Sequence, residues 1–130
     1  MIARYNRHSF SKNMLIIREA QVAALAVAIF ERRLYEHLRD SFPGRCAAMP
    51  YEAVMETIRA AIARARAHGF SEDEHVAQFV VIAFAAGLDF DLDPAAAEVL
   101  ADERLRERRS IQIMQLLEAV NEQFQMPDAQ

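Results

Sequence analysis

The sequence has one cysteine, one lysine, no tryptophan, three glycines and four prolines. Cys46 has no second cysteine to pair with, which fits a reducing compartment. With so little glycine and proline, breaks between elements are few and easy to place. The apolar run Val22–Phe30 is far shorter than the about 20 residues that span a bilayer. It passes directly into Glu31, Arg32 and Arg33 with no small-residue cleavage site, so neither a membrane span nor a signal peptide is expected. The expected location is the cytoplasm. Basic charge is also short: the formal net charge is −4. Nucleic-acid-binding domains usually carry the opposite balance, so no nucleic acid is expected as a partner.

What is present is a chain of 130 residues, 53% hydrophobic and 26% charged. That balance belongs to a globular domain, and a globule of this length buries roughly two thirds of its unfolded surface. Alanine, leucine, glutamate and arginine dominate, and all are strong helix formers. The expected fold is all-α: a compact bundle of about five helices around a buried central helix at 72–86. The expected organisation is a flexible tail over 1–13, a helical domain over 14–124, and a frayed end over 125–130. Met14 is an alternative start, because regular patterning begins there.

The first helix is expected over about Arg18 to Asp40, with Val22, Leu25, Ala26, Ile29, Phe30, Leu34 and Leu38 as its core stripe. Pro43 and Gly44 stop it. A second helix starts near Pro50, with Tyr51, Val54, Met55, Ile58, Ile62 and Ala65 facing inward. Its acids come early and its bases late, which offsets the helix dipole at both ends. Gly69 closes it in the left-handed conformation. Ser71 and Glu74 form a capping box for the third helix. Its stretch FVVIAFAA, Phe79–Ala86, is apolar on all sides, and a helix with no polar face is surrounded by others. Gly87 ends it. Asp93 caps a short fourth helix that opens on Pro94 and ends near Asp102. A fifth runs from Glu103 to Phe124, with Ile113, Met114, Leu117, Val120 and Phe124 inward.

Asp89, Asp91 and Asp93 alternate with Leu88, Phe90 and Leu92. The start resembles a calcium loop, whose oxygens surround a hard cation. It then fails: Pro94 stands where that loop needs glycine, and Leu100 where it needs a bidentate glutamate. The plain reading is a structured turn, with Phe90 and Leu92 plugged into the core and the aspartates as caps. The functional reading makes Asp89 and Asp91 an acidic edge for a partner's arginines. Arg104, Arg106, Arg108 and Arg109 form a basic cluster diluted by Asp102, Glu103 and Glu107. On a continuous helix Arg104 and Arg108 share one face, and they are the basic candidates for partner binding.

His8, His37, His68 and His75 lack the four-residue spacing of a helical zinc pair, so no metal is expected; His68 and His75 flank the Gly69 turn and could meet across it. Arg45 beside Cys46 favours a thiolate, yet no base is placed near it by sequence. With no phosphate-cradling loop and no nucleophile elbow, no catalytic residue and no cofactor are expected.

Four segments recur together: MLIIREAQ at Met14–Gln21, His37-Leu38, the Gly69–Glu72 turn, and Phe84–Pro94. In that order they resemble a family of small helical proteins encoded beside spike-tip or toxin-cargo genes of bacterial type VI secretion systems. The likeness covers about Met14 to Phe124, and departs at Ala95–Ala97, where a bulky aromatic is expected. It implies a non-catalytic accessory that binds another protein, a secreted toxin or spike component, as adaptor or chaperone. The alternative is an immunity protein that blocks a cognate toxin with its acidic residues. A homodimer through surplus apolar surface on the first or fifth helix is a further possibility.

Overall fold

The structure is a computed structural model that describes the backbone of residues 2–124 and the side chains of residues 18–122. Six helices follow in chain order: α1 Ile2–Ser41, α2 Pro43–Ala47, α3 Tyr51–Ala67, α4 Asp73–Ala86, α5 Pro94–Ala101 and α6 Arg109–Phe124. Two 3-10 turns, Leu88–Leu92 and Glu103–Leu105, lie either side of α5. The fold is all-α, as the composition requires. The expected frayed end, 125–130, lies outside the described residues.

Contacts divide the chain into two units, Met1–Arg33 and Leu34–Gln130, with the boundary inside α1. α1 starts well ahead of the expected Arg18. No proline or glycine interrupts the sequence before Pro43, and adding a residue to an existing helix is far easier than nucleating one. Within the first unit, Val22, Leu25, Ala26 and Ile29 of the stripe expected to be core are exposed, as is Val27 beside them, and Phe30 is half-buried. The later members of that stripe, Leu34 and Leu38, belong to the second unit and are buried there.

The second unit is a compact bundle around α4. Val76, Phe79, Val80, Ile82, Ala83 and Phe84 are all buried, and α4 packs against α3, α6 and the turn Leu88–Leu92. The apolar stretch is therefore largely covered, with Val81, Ala85 and Ala86 half-buried. Pro43 does not simply stop α1. It occupies the first turn of α2, where its missing N–H costs nothing. Arg45 on α2 reaches α4, donating to the Ala85 carbonyl at 3.3 Å and lying 4.9 Å over the Phe84 ring.

α3 closes in a Schellman motif: the Gly69 N–H donates to Arg66 O at 2.9 Å and the Phe70 N–H to Ala65 O at 3.1 Å. Gly69 has φ +91°, which glycine adopts without the steric cost of a Cβ. The Ser71–Glu74 capping box is not formed. α4 begins at Asp73, so Glu72 takes the N-cap position and makes no side-chain cap, leaving Ser71 one residue too early. The Ser71 carbonyl instead accepts from Arg66 at 3.1 Å.

Asp93 does cap α5, accepting from the Ala95 N–H at 3.2 Å with Pro94 in the first turn. The expected fifth helix is broken. The Asp102 carboxylate accepts from the Arg104 N–H at 3.0 Å and nucleates a 3-10 turn, so α6 starts only at Arg109. Its inward face is Gln112, Ile113, Leu116 and Val120; Met114 and Leu117 point outward, contrary to the expected stripe. Phe124's side chain lies outside the described residues.

The central position of α4 sets a stability test. Phe84 is buried and stacked near Phe42 at 5.4 Å, so Phe84→Ala leaves a cavity and costs about 3–5 kcal/mol. A melting temperature lowered by on the order of 10 °C is expected, and thermal denaturation followed by circular dichroism measures it.

Candidate functional site

The turn Leu88–Leu92 follows Gly87, whose φ of +110° redirects the chain at the end of α4. Phe90 plugs into the core 5.0 Å from Phe79, as expected; Leu92 does not, and is exposed. The inward turn takes Asp91 with it, to 6% exposure. A buried carboxylate must be paired and hydrogen-bonded, and α3's last turn supplies both partners. Arg64 forks onto Asp91, its Nε donating at 3.0 Å and its Nη2 bonding the other oxygen, while Nη1 donates to Asp89 at 3.0 Å. His68 Nε2 lies 2.8 Å from Asp91 Oδ2. Burial pushes the Asp91 carboxyl up; the hydrogen bonds from Arg64 and then His68 outweigh it and hold the group below its ordinary value. Those same contacts raise Arg64.

The two aspartates offered for partner binding therefore differ. Asp89 is exposed and Asp91 is consumed inside the fold. Arg104 and Arg108 do not share a helical face, because the helix is broken between them. Arg104 folds back onto Asp102 through Nε at 3.1 Å and Nη2 at 3.0 Å, which lowers the Asp102 carboxyl. Arg108 stands at the N-cap of α6 and is exposed. Arg64 and His68 were missed as site residues, although their four-residue spacing at a helix end was the available signal.

Two other expectations settle differently. His68 does not meet His75: the first turns to Asp91, the second to Ser110 Oγ at 3.2 Å. Cys46 is buried; burial pushes its thiol up against the lowering effect of Arg45 and Arg39, the reverse of an activated nucleophile. Among the described residues no group of three His, Cys, Asp or Glu is placed to hold a metal, and no helix is long and apolar enough to cross a membrane.

Gln112, unlike Arg64 and His68, has no sequence signal. It is fully buried, and its Nε2 donates to the α5 carbonyls of Val99 at 3.1 Å and Leu100 at 3.5 Å. Its Oε1 accepts from Arg109 Nη1 at 2.6 Å, while Arg109 Nη2 donates to Gly69 O at 3.2 Å and the guanidinium lies 4.7 Å over Phe70.

Among the described residues, exposed large apolar side chains cluster on two helices. In the first unit they run along α1, with Val22 and Leu25 at 59% and Val27 at 56% exposure. A shallow groove lined by Arg18, Glu19, Val22, Ala23 and Ala26 runs along it. In the second unit Ile111, Met114 and Leu117 form a smaller outward stripe on α6.

The Asp91 pairing makes acid stability testable. A carboxyl whose folded-state value is depressed contributes stability above its unfolded value, near 3.9, and loses it as pH falls through the folded value. Melts between pH 6 and pH 2 are expected to show a steep loss in that acid window. Asp91→Asn flattens this limb and costs about 3 kcal/mol at neutral pH, since it leaves Arg64 short of a counter-charge.

In comparisons with known proteins, no family model, no curated protein and no solved structure matches this chain.

Proposed function

We propose that this chain is a non-catalytic protein-binding accessory that holds a secreted toxin or spike component before export, using α1 as the docking element. The observation that carries the reading is the uncovered apolar run on α1, Val22 through Ile29. Soluble proteins rarely leave contiguous large apolar side chains bare, and such patches usually mark a binding surface. A helix presents them at fixed spacing to the groove of a partner. The run is bounded by Arg18 and Glu19 at one end and Glu31, Arg32 and Arg33 at the other. That is the layout of an interface with an apolar centre and a charged rim. The secretion cargo as partner rests on the resemblance carried by Met14–Gln21, His37-Leu38, Gly69–Glu72 and Phe84–Pro94. The immunity reading draws on acidic residues such as Asp89 and Asp91; Arg64 bonds both and Asp91 is buried, which favours the adaptor.

Co-expression with type VI spike-tip and toxin-cargo proteins from the same genome tests the proposal. A stable complex is expected, and Leu25→Glu with Ile29→Glu should weaken it at least about 100-fold while leaving the melting transition in place. A complex that survives the double substitution at full strength removes α1 from the interface. A stable dimer of this chain alone, returned to monomer by the same substitutions and binding no cargo, replaces the proposed partner with a second copy.

A further inference from the structure

A cavity of about 560 Å³ lies within the second unit where the N-terminal ends of α4 and α6 come together. Its size falls in the range of small-molecule sites. Three features of its lining point to one ligand chemistry.

The first is the start of α6. Its first i→i+4 bond runs from the Gln112 N–H to Arg108 O at 3.0 Å, which places Arg108 at the N-cap. The first N–H groups of any α-helix have no intrahelical acceptor, and an arginine side chain has no acceptor to offer them. Ser110 and Ile111, both in that first turn, line the cavity. The second is charge. Arg106 and Arg108 line the cavity against Glu72 and Glu107, with Arg109 in the lining but its guanidinium committed to Gln112 and the Gly69 carbonyl, so the helix end that favours anions tips an otherwise even balance.

The third is His75, which lines the cavity at 8% exposure. Its Nε2 is 3.2 Å from Ser110 Oγ, and its Nδ1 is buried without a hydrogen-bond partner. Glu72 Oε2 stands 3.5 Å from Nδ1 without making that bond. A buried ring nitrogen left unmatched is a standing cost that a ligand oxygen can remove. Ser110 joins this histidine to the open helix turn.

We propose that this cavity is a binding site for a phosphate monoester, with the phosphate seated on the first turn of α6 and the remainder of the ligand in the space toward His75. The site is separate from the α1 surface and does not depend on the adaptor reading.

Titration of the isotope-labelled full chain with inorganic phosphate and with glycerol 3-phosphate, in 150 mM salt and followed by NMR, tests it. Saturable shifts are expected at the amides of Arg109, Ser110 and Ile111 and at the His75 ring nitrogens, with the ester binding more tightly than inorganic phosphate. Arg108→Asn supplies the missing cap acceptor from the chain itself. It should weaken ester binding at least tenfold with no loss in melting temperature. Arg104→Asn removes the same charge from a residue outside the cavity lining and should leave binding unchanged. Equal losses in the two variants, shifts spread over exposed arginines, or no saturation by 10 mM ester each overturn the assignment. Inorganic phosphate and ester binding with the same affinity leaves an adventitious ion only, and also overturns it.

Discussion

One constraint dominates the second unit: from Phe79 to Ala86, α4 carries no polar side chain, and most of that stretch must be covered. Val76, Phe79, Val80, Ile82, Ala83 and Phe84 are buried, while Glu74, Gln78 and the half-buried Val81 and Ala85 mark the side of α4 left toward water. α3 and α6 cover two of its flanks, and the chain leaving α4 must cover part of the rest. It does so by turning back at Gly87 and inserting Phe90 against Phe79. In this alternating stretch an apolar plug cannot go in without its neighbour, and that neighbour is Asp91. The ion network on α3 is thus a consequence of hydrophobic cover. Arg64 and His68 make the burial of a carboxylate tolerable, and the pair is better understood as specifying the turn than as adding net stability.

The second organising contact is Arg109. One guanidinium bonds Gln112, bonds the carbonyl of Gly69 and lies over Phe70. It joins the C-terminal turn of α3 to the beginning of α6, while Gln112 passes the connection to the end of α5. A Cβ at Gly69 would come within 2.6 Å of Arg109 Nη2, so the glycine serves both the left-handed turn and this close approach. With Arg109 turned toward α3, the first turn of α6 is left with basic side chains and no local acceptor. The cavity at that end follows from how the bundle is tied together.

What was legible in the sequence was local. The apolar run of α4, the Asp93 cap with Pro94, and the glycines after α3 and α4 each act within a few residues, and each stands where expected. Ser71 failed by a single position, because capping depends on where the helix starts and not only on which residue types are near. The break before α6 was hidden because Asp102 reads equally well as an exposed helical residue and as the head of a turn. The stripe of α6 was misassigned because Met114 and Leu117 recur at the same spacing as Ile113, Leu116 and Val120; only tertiary packing separates the two faces. Arg64, His68 and Gln112 act across 12 to 27 positions of chain. The sequence sets Arg64 and His68 one turn apart at a helix end but does not name the group they meet, since that group is buried by an event elsewhere.

The exposed part of α1 raises a different question: how a helix persists with its apolar side chains uncovered. Alanine supplies the answer. Ala20, Ala23, Ala24, Ala26 and Ala28 are interspersed among Val22, Leu25, Val27 and Ile29. Alanine loses no side-chain entropy in a helix, so the backbone gains stability from local propensity where packing provides none. In the docking role proposed above, the larger side chains are already held at fixed spacing, and a partner need not bear the cost of ordering them. A disordered segment of the same apolar content would surrender part of its binding energy to folding. In that proposed role, small residues hold the helix and large ones face outward, a division that suits a bare apolar stretch to docking.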